Sequence, residues 1–233
     1  MNKPQFVIIK ESLIKQIEAK ALRPGDRVLS ENQLSEQFSV SRMTARRALT
    51  ELVEAGILER TKGLGTFVAD LRPMSSMMEI HNIAEEVEMR AQQYSCEVIS
   101  LNSIKAKKTE ANFLGYSEGD EVFHSIIVHK ENGLPIQYEE RYVSPRLIPL
   151  YDRQDFTLAT PNCYLREVAP LTEADHIVEA VNVNKVIAKH LSINQQEPCL
   201  KITRRSSSSG GVVSLAYLIH PGSRYRLGSH LEF

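Results

Sequence analysis

Between Leu29 and Val68, two capped helices are followed at once by a glycine-tipped pair of apolar runs, and few folds accept that succession in so short a space. Ser30-Glu31-Asn32-Gln33 fits a capping box. The Ser30 hydroxyl accepts from the Gln33 amide while the Gln33 side chain reaches back, which starts a helix through Leu34 to Phe38. Ser39-Val40 is a short turn. Ser41 is then a second N-cap, opening a helix at Arg42 that carries apolar and basic faces through Leu52 and Val53 to a stop at Gly56. Arg42 and Arg46 lie four apart and share a face, whereas Arg47 lies on another. Ile57-Leu58-Glu59-Arg60 and Thr66-Phe67-Val68 read as two short strands around Lys62-Gly63-Leu64-Gly65, whose glycines permit positive φ and a close backbone approach.

A major-groove reader needs this geometry, with the first residues of the second helix aimed at base edges and the helix N-terminus favouring phosphate. The planar fork of Arg42 or Arg46 can bond two acceptors on one guanine edge, while Arg47 is better placed for backbone phosphate or solvent. No acidic residue stands between Glu36 and Glu51. Three arginines alone would describe a solvated helix face. Joined to the caps and the hairpin, they point to double-stranded DNA.

The stretch RPGDRVLSENQLSEQFSVSRMTARRALTELVEAGILERTKGLGTFV resembles the winged helix-turn-helix of the GntR family of bacterial transcription regulators, across nearly all of residues 5 to 69. By position, the resemblance implies DNA contacts from Glu31 and Asn32 on the first of the two helices. It implies further contacts from Ser41, Arg42, Thr44 and Arg46 on the reader, and from Lys62 and Gly63 in the wing. Leu29 stands where many members have proline, and Asn32 where many have a basic residue, so any phosphate contact from position 32 is a neutral one.

At 233 residues the chain leaves room for a second domain beyond a reader of about 70 residues. We expect a winged helix-turn-helix over 1–69, a linker over 70–77 around Asp70-Leu71-Arg72-Pro73, and an effector-binding domain over 78–233. Residues 1–70 hold 11 Lys and Arg against 9 Asp and Glu, and the remainder 17 against 20, so DNA affinity must come from placed arginines and dimer avidity. No apolar run approaches a membrane span and no signal peptide precedes Phe6, so the expected location is the cytoplasm. Cys96, Cys163 and Cys199 lack paired metal spacing and read as reduced and mostly buried.

Past the linker the periodicity predicts a helix from about Asn82 to Gln93, a strand over Val98–Ile104, and a short helix capped by Thr109 and ended by Gly115. Val122–His129 and Ile136–Val143 form a hairpin about Asn132-Gly133, and Thr160-Pro161 starts another helix. Ile177–Val183 is a strand, Lys185–Leu191 a helix, Cys199–Ser206 and Val212–Ile219 a strand pair, and Tyr225–Leu231 a candidate to close the sheet. The class is α+β with a mainly antiparallel sheet, an architecture able to enclose a small ligand.

This second part resembles the effector-sensing UTRA domain of the HutC subfamily of GntR regulators, whose fold is similar to chorismate lyase. FHSIIVHKENGLPIQYEERYVSP, VAPLTEADHIVEAV and PGSRYRL carry a closer resemblance to members that repress histidine-degradation operons and are released by urocanate. Many sensors of this fold take sugar phosphates through arginines on the strand before the hairpin, where this chain has Ile127 and His129. That argues against a dianionic phosphate. Urocanate carries a carboxylate and an imidazole, so its pocket needs a cation or helix N-terminus at one end and a carboxylate, phenol or second imidazole at the other. Candidates are His81, Asn82 and Ile83 at a helix start, with His129, Tyr138 and Glu140 on the hairpin and Tyr164 on the next helix. Glu179, Tyr217, Tyr225 and Arg226 complete the set.

A ligand-responsive homodimeric repressor is the favoured reading, because one reader covers only a half-site. The same architecture sensing an amino sugar phosphate or amino acid is the second, and a lyase-like enzyme the third. No Ser-His-Asp or Cys-His arrangement, metal-spaced cluster or phosphate loop supports catalysis, so neither cofactor nor metal is expected, and His176 reads as a sheet residue rather than a base.

Overall fold

The computed structural model describes residues 3–70, 74–76 and 82–228, in two compact units, Met1–Arg72 and Pro73–Phe233. In the first unit α1 (Gln5–Glu18), α2 (Glu31–Gln37) and α3 (Arg42–Glu54) precede a hairpin of β1 (Leu58–Thr61) and β2 (Gly65–Val68). The capping box at Ser30 forms with Gln33, and Ser41 Oγ accepts the Thr44 amide. No side-chain cap marks the start of α1, whose Ile9 and Leu13 are buried one turn apart and join Leu34, Ala45, Leu49 and Leu52 in one core. Arg27 forms an isolated antiparallel bridge with Phe67, which holds the chain before α2 against the two-stranded hairpin. Gly65 is obligatory here: its φ is +129° and a Cβ would stand 2.9 Å from Arg27 Nε.

The second unit is built on a six-stranded antiparallel sheet in the order β4-β5-β6-β9-β8-β7. Its strands are β4 (Tyr94–Lys105), β5 (Glu121–Glu131), β6 (Leu134–Val143), β7 (Leu171–Val181), β8 (Cys199–Ser208) and β9 (Gly211–Pro221). The β5–β6 turn uses Asn132 and Gly133 with φ of 50° and 79°, the pair of positive values that a two-residue hairpin turn requires. One face is covered by α4 (Ile83–Met89) and α6 (Pro161–Val168), the other by α5 (Lys108–Leu114) and α7 (Lys185–Leu191). Both faces of the central strands are therefore buried.

Several expectations need correction. The helix expected to reach Gln93 ends at Met89, because Ala91 takes a positive φ of 55° and turns the chain into β4. Thr109 lies inside α5, whose N-cap is Lys107 without a side-chain bond. Three residues read as linker, Met74–Ser76 (β3), pair in parallel with Arg226–Gly228 (β10). The C-terminal run thus makes a separate two-stranded sheet and does not close the main one, while residues 229–231 lie outside those described. The cysteines are not mostly buried: Cys199 is, Cys96 is half-buried and Cys163 exposed. Burial pushes the Cys96 and Cys199 thiols upward, which makes neither a ready thiolate.

Candidate DNA interface and effector cavity

In the first unit a cleft of about 410 Å³ opens between α2, the start of α3 and the wing. Its rim carries Arg27, Arg42, Arg60 and Lys62, with Glu31, Asn32 and Gly63 among the other lining residues. Arg27 and Arg60 went unnoticed in the sequence because no helical period marks them; the chain brings them in through the Arg27–Phe67 bridge and the hairpin. Ser41 and Thr44 bond each other at the tip of α3, Oγ to Oγ1 at 2.8 Å, which leaves the helix start pinned and exposed.

Glu31 faces both reader arginines, 3.1 Å from Arg42 Nε and 3.9 Å from Arg46 Nε. These pairs do not lock the reader. The two arginine side chains remain 68% and 57% exposed, and an exposed ion pair is worth about 0–1 kcal/mol. Such a pair holds a guanidinium extended until a stronger acceptor arrives. Arg47 is occupied differently, with Nε 2.9 Å from Glu51 and its guanidinium carbon 3.8 Å from the centre of the Phe6 ring. It ties α1 to α3 and lies outside the cleft lining.

In the second unit the sheet face beneath α4 and α6 is unusually polar. Register places Gln137, Glu139 and Arg141 of β6 beside Leu218 and Ala216 of β9, then Ile202 and Arg204 of β8, and finally His176 of β7. Arg141 Nε donates to Glu139 Oε1 at 2.7 Å and Nη1 to Ser214 Oγ at 3.1 Å. Burial opposes ionisation of Glu139, but Arg141 and His129 outweigh it and hold the carboxyl well below its usual range. His220 Nδ1 donates to the Ile136 carbonyl at 3.1 Å, so Nε2 is the acceptor for Gln137 Nε2 at 2.9 Å. That fixes a neutral imidazole, which burial favours by lowering the His220 pKa to about 3. Tyr225 stacks on it at 3.7 Å.

These groups enclose a small cavity lined by Asn82, Ile83 and Glu86 of the α4 segment, Thr160 and Asn162 at the start of α6, and Gln137, Glu139, Arg204, His220 and Tyr225 below. Its free space is about 20 Å³, roughly what one water molecule occupies. Thr160 Oγ1 donates to Asn82 Oδ1 at 2.9 Å, joining the two helix caps above it. Among the described residues, Gln137 Oε1 and Asn162 Oδ1 are buried without a hydrogen-bond partner, as if kept for a donor.

Of the effector residues expected from sequence, Asn82, Ile83 and Tyr225 line this cavity, and His81 lies outside the described residues. His129 is fully buried beside it, bonded through Nδ1 to Tyr94 Oη at 2.7 Å and 3.5 Å from Glu139. Tyr138 and Glu140 share a face, but it is the opposite one: Tyr138 packs against α7, and Glu140 accepts from Tyr142 and lies 3.0 Å from His124. Tyr217 lies on that side as well, against Tyr142. Tyr164 packs on Tyr151 and Phe156, Glu179 pairs with Lys201 on the surface, and Arg226 sits in β10 away from the lining. The alternation was legible and its phase was not, because β6 is buried on both faces.

Two family models match the chain: bacterial regulatory proteins of the gntR family over residues 7–68, and the UTRA domain over residues 89–226. The chain belongs to the GntR family. It carries the UTRA type of C-terminal domain, and among its described residues no helix is long and apolar enough to cross a membrane. This GntR protein is 46% identical to the histidine utilization repressor of Pseudomonas aeruginosa, across 96% of the chain and 90% of the relative. It is 44% identical to that of Klebsiella aerogenes, over 96% and 93%. The C-terminal domain of the histidine utilization repressor from Pseudomonas syringae pv. tomato matches 60% of the chain and all of its own, at 46% identity and a TM-score of 0.59. PhnF from Mycobacterium smegmatis shares the fold over 96% of the chain and 99% of its own, with a TM-score of 0.66 at 20% identity. The three histidine utilization repressors are regulators by name, and none is named for a reaction.

Proposed function

We propose that this GntR protein is a transcriptional repressor of histidine-utilization genes, working as a cytoplasmic homodimer on double-stranded operator DNA and released by urocanate. The near-full-length identity of 44–46% to named histidine utilization repressors carries the reading. The reader supports it: Arg42 and Arg46 meet base edges from the start of α3, Ser41, Thr44, Glu31 and Asn32 frame the entry, and Lys62 and Gly63 follow the adjoining groove. The cavity supports the ligand class, since a ring N–H finds waiting acceptors in Gln137 Oε1 and Asn162 Oδ1, and Tyr225 supplies a flat partner.

Urocanate is far larger than the free space, so it enters only by moving what covers the sheet: α4, the start of α6 and Tyr225. Effector binding and a change in shape are then one event, which is what control of half-site spacing requires. The test is a mobility shift on the DNA upstream of the chain's own gene, with and without urocanate. Retention of the complex at saturating urocanate overturns the effector. Release by a phosphorylated amino sugar instead reassigns the class of ligand and leaves the reader intact.

A further inference from the structure

Arg204 is the cation of the cavity. It sits on β8, is only 8% exposed, and lines the space directly. Arg141, its neighbour in the same row across Ala216, is held by Glu139 and Ser214. Among the described residues no carboxylate stands within ion-pair distance of Arg204; its Nε donates instead to His176 Nε2 at 2.7 Å. A buried guanidinium whose bonded neighbour is a neutral imidazole has no contact ion pair; Glu139 and Glu86, which line the same cavity, favour its charge only from beyond that distance and leave its terminal nitrogens available to a nearer acceptor. Burial and the nearby Arg141 charge bring the Arg204 pKa down to about 10, so it still carries its charge at neutral pH. One such cation suits one negative charge rather than two.

We propose that Arg204 anchors the effector's carboxylate and that His176, on the edge strand β7, is the positioning residue that aims it. This rests on the reading of the cavity as the effector site. His176 can accept from Arg204 only while neutral. Burial, and then the Arg204 charge, lower its pKa to about 4, so the acceptor form prevails at neutral pH. With Nε held from the β7 side, the terminal nitrogens of the fork are oriented toward the cavity, where they can pair with both oxygens of a carboxylate. The imidazole of the same ligand then falls toward Gln137 and Asn162.

The test measures binding of urocanate and of its uncharged amide to the full chain by calorimetry, and reads the ratio of the two affinities. The wild-type protein favours the acid by about 10–100-fold, the range of a charge-assisted pair. Arg204→Gln brings that ratio close to one, and Arg204→Lys, which keeps charge without the fork, restores part of it. His176→Ala reduces the ratio several-fold and His176→Gln, whose side-chain oxygen can still accept from Nε, recovers it. Simple damage to the fold weakens both ligands together and leaves the ratio standing. An undiminished ratio in Arg204→Gln overturns the anchor while the urocanate reading survives. A wild-type protein that binds another monocarboxylate in an Arg204-dependent way, but not urocanate, upholds the anchor and overturns that reading. Failure to bind any monocarboxylate overturns both.

Discussion

Arg42 and Arg46 project from the first two turns of α3, and among the described residues the half-buried carboxylate of Glu31 is the one that pairs with them. Replacing either by alanine is expected to cost about 1–3 kcal/mol of specific operator binding, with urocanate affinity unchanged, by mobility shift and calorimetry. At the cavity, His220 supplies a pH signature. Its folded pKa is about 3 against an ordinary 6.5, so below pH 6.5 the unfolded chain takes up a proton that the folded chain refuses. Stability is therefore full above pH 6.5 and declines as pH falls toward 3, by up to about 1.4 kcal/mol per pH unit. His176, lowered to about 4, adds to the loss in the same direction, so urea unfolding across that range should show a slope that His220→Gln reduces and does not abolish. A single-residue phase error separated the expected site from the observed cavity: Tyr138 and Glu140 were proposed where Gln137 and Glu139 line the space. Arg204 and His220 gave no sign in the sequence, since each becomes a cavity residue only through strand pairing with distant segments.

The helix starts at Ser30, Ser41, Asn82 and Thr160 were legible because a cap is a local bargain between one side chain and an amide two or three residues on. Ser41→Ala should lower stability by about 1 kcal/mol, since the Thr44 amide loses its acceptor, and denaturant unfolding measures it. The wing depends on a single glycine. At a φ of +129° and with Arg27 packed over it, Gly65→Ala should weaken the hairpin by about 1–3 kcal/mol, seen as faster hydrogen exchange at the β2 amides. Pairings between remote segments were less readable: nothing local marks that Arg226–Gly228 meets Met74–Ser76 and not the main sheet. α1 escaped notice for a related reason, since its N-cap Pro4 makes no side-chain bond.

Taken as a whole, the chain is close to neutral, with 28 basic against 29 acidic residues. With the interface proposed above, affinity for DNA rests on a few contacts from α2, α3 and the wing, and its logarithm should fall with log salt at a slope of about −0.9 for each phosphate neutralised. A steep slope of the kind seen when many lysines coat a surface would contradict this picture. Binding of urocanate to the folded form alone should raise the stability of the chain by about 2.7 kcal/mol at a hundredfold excess over Kd, observable as a higher melting temperature. The two-part organisation was readable from the change in periodicity near residue 70, whereas the cramped interior of the second part was not.

That cramped interior sets a tempo. A guest that must prise apart the Asn82–Thr160 junction before it can settle waits on the protein's own breathing, and so associates well below the rate of free diffusion. For the effector proposed above, entry paced in this way favours a response to a sustained supply over one to a brief surge.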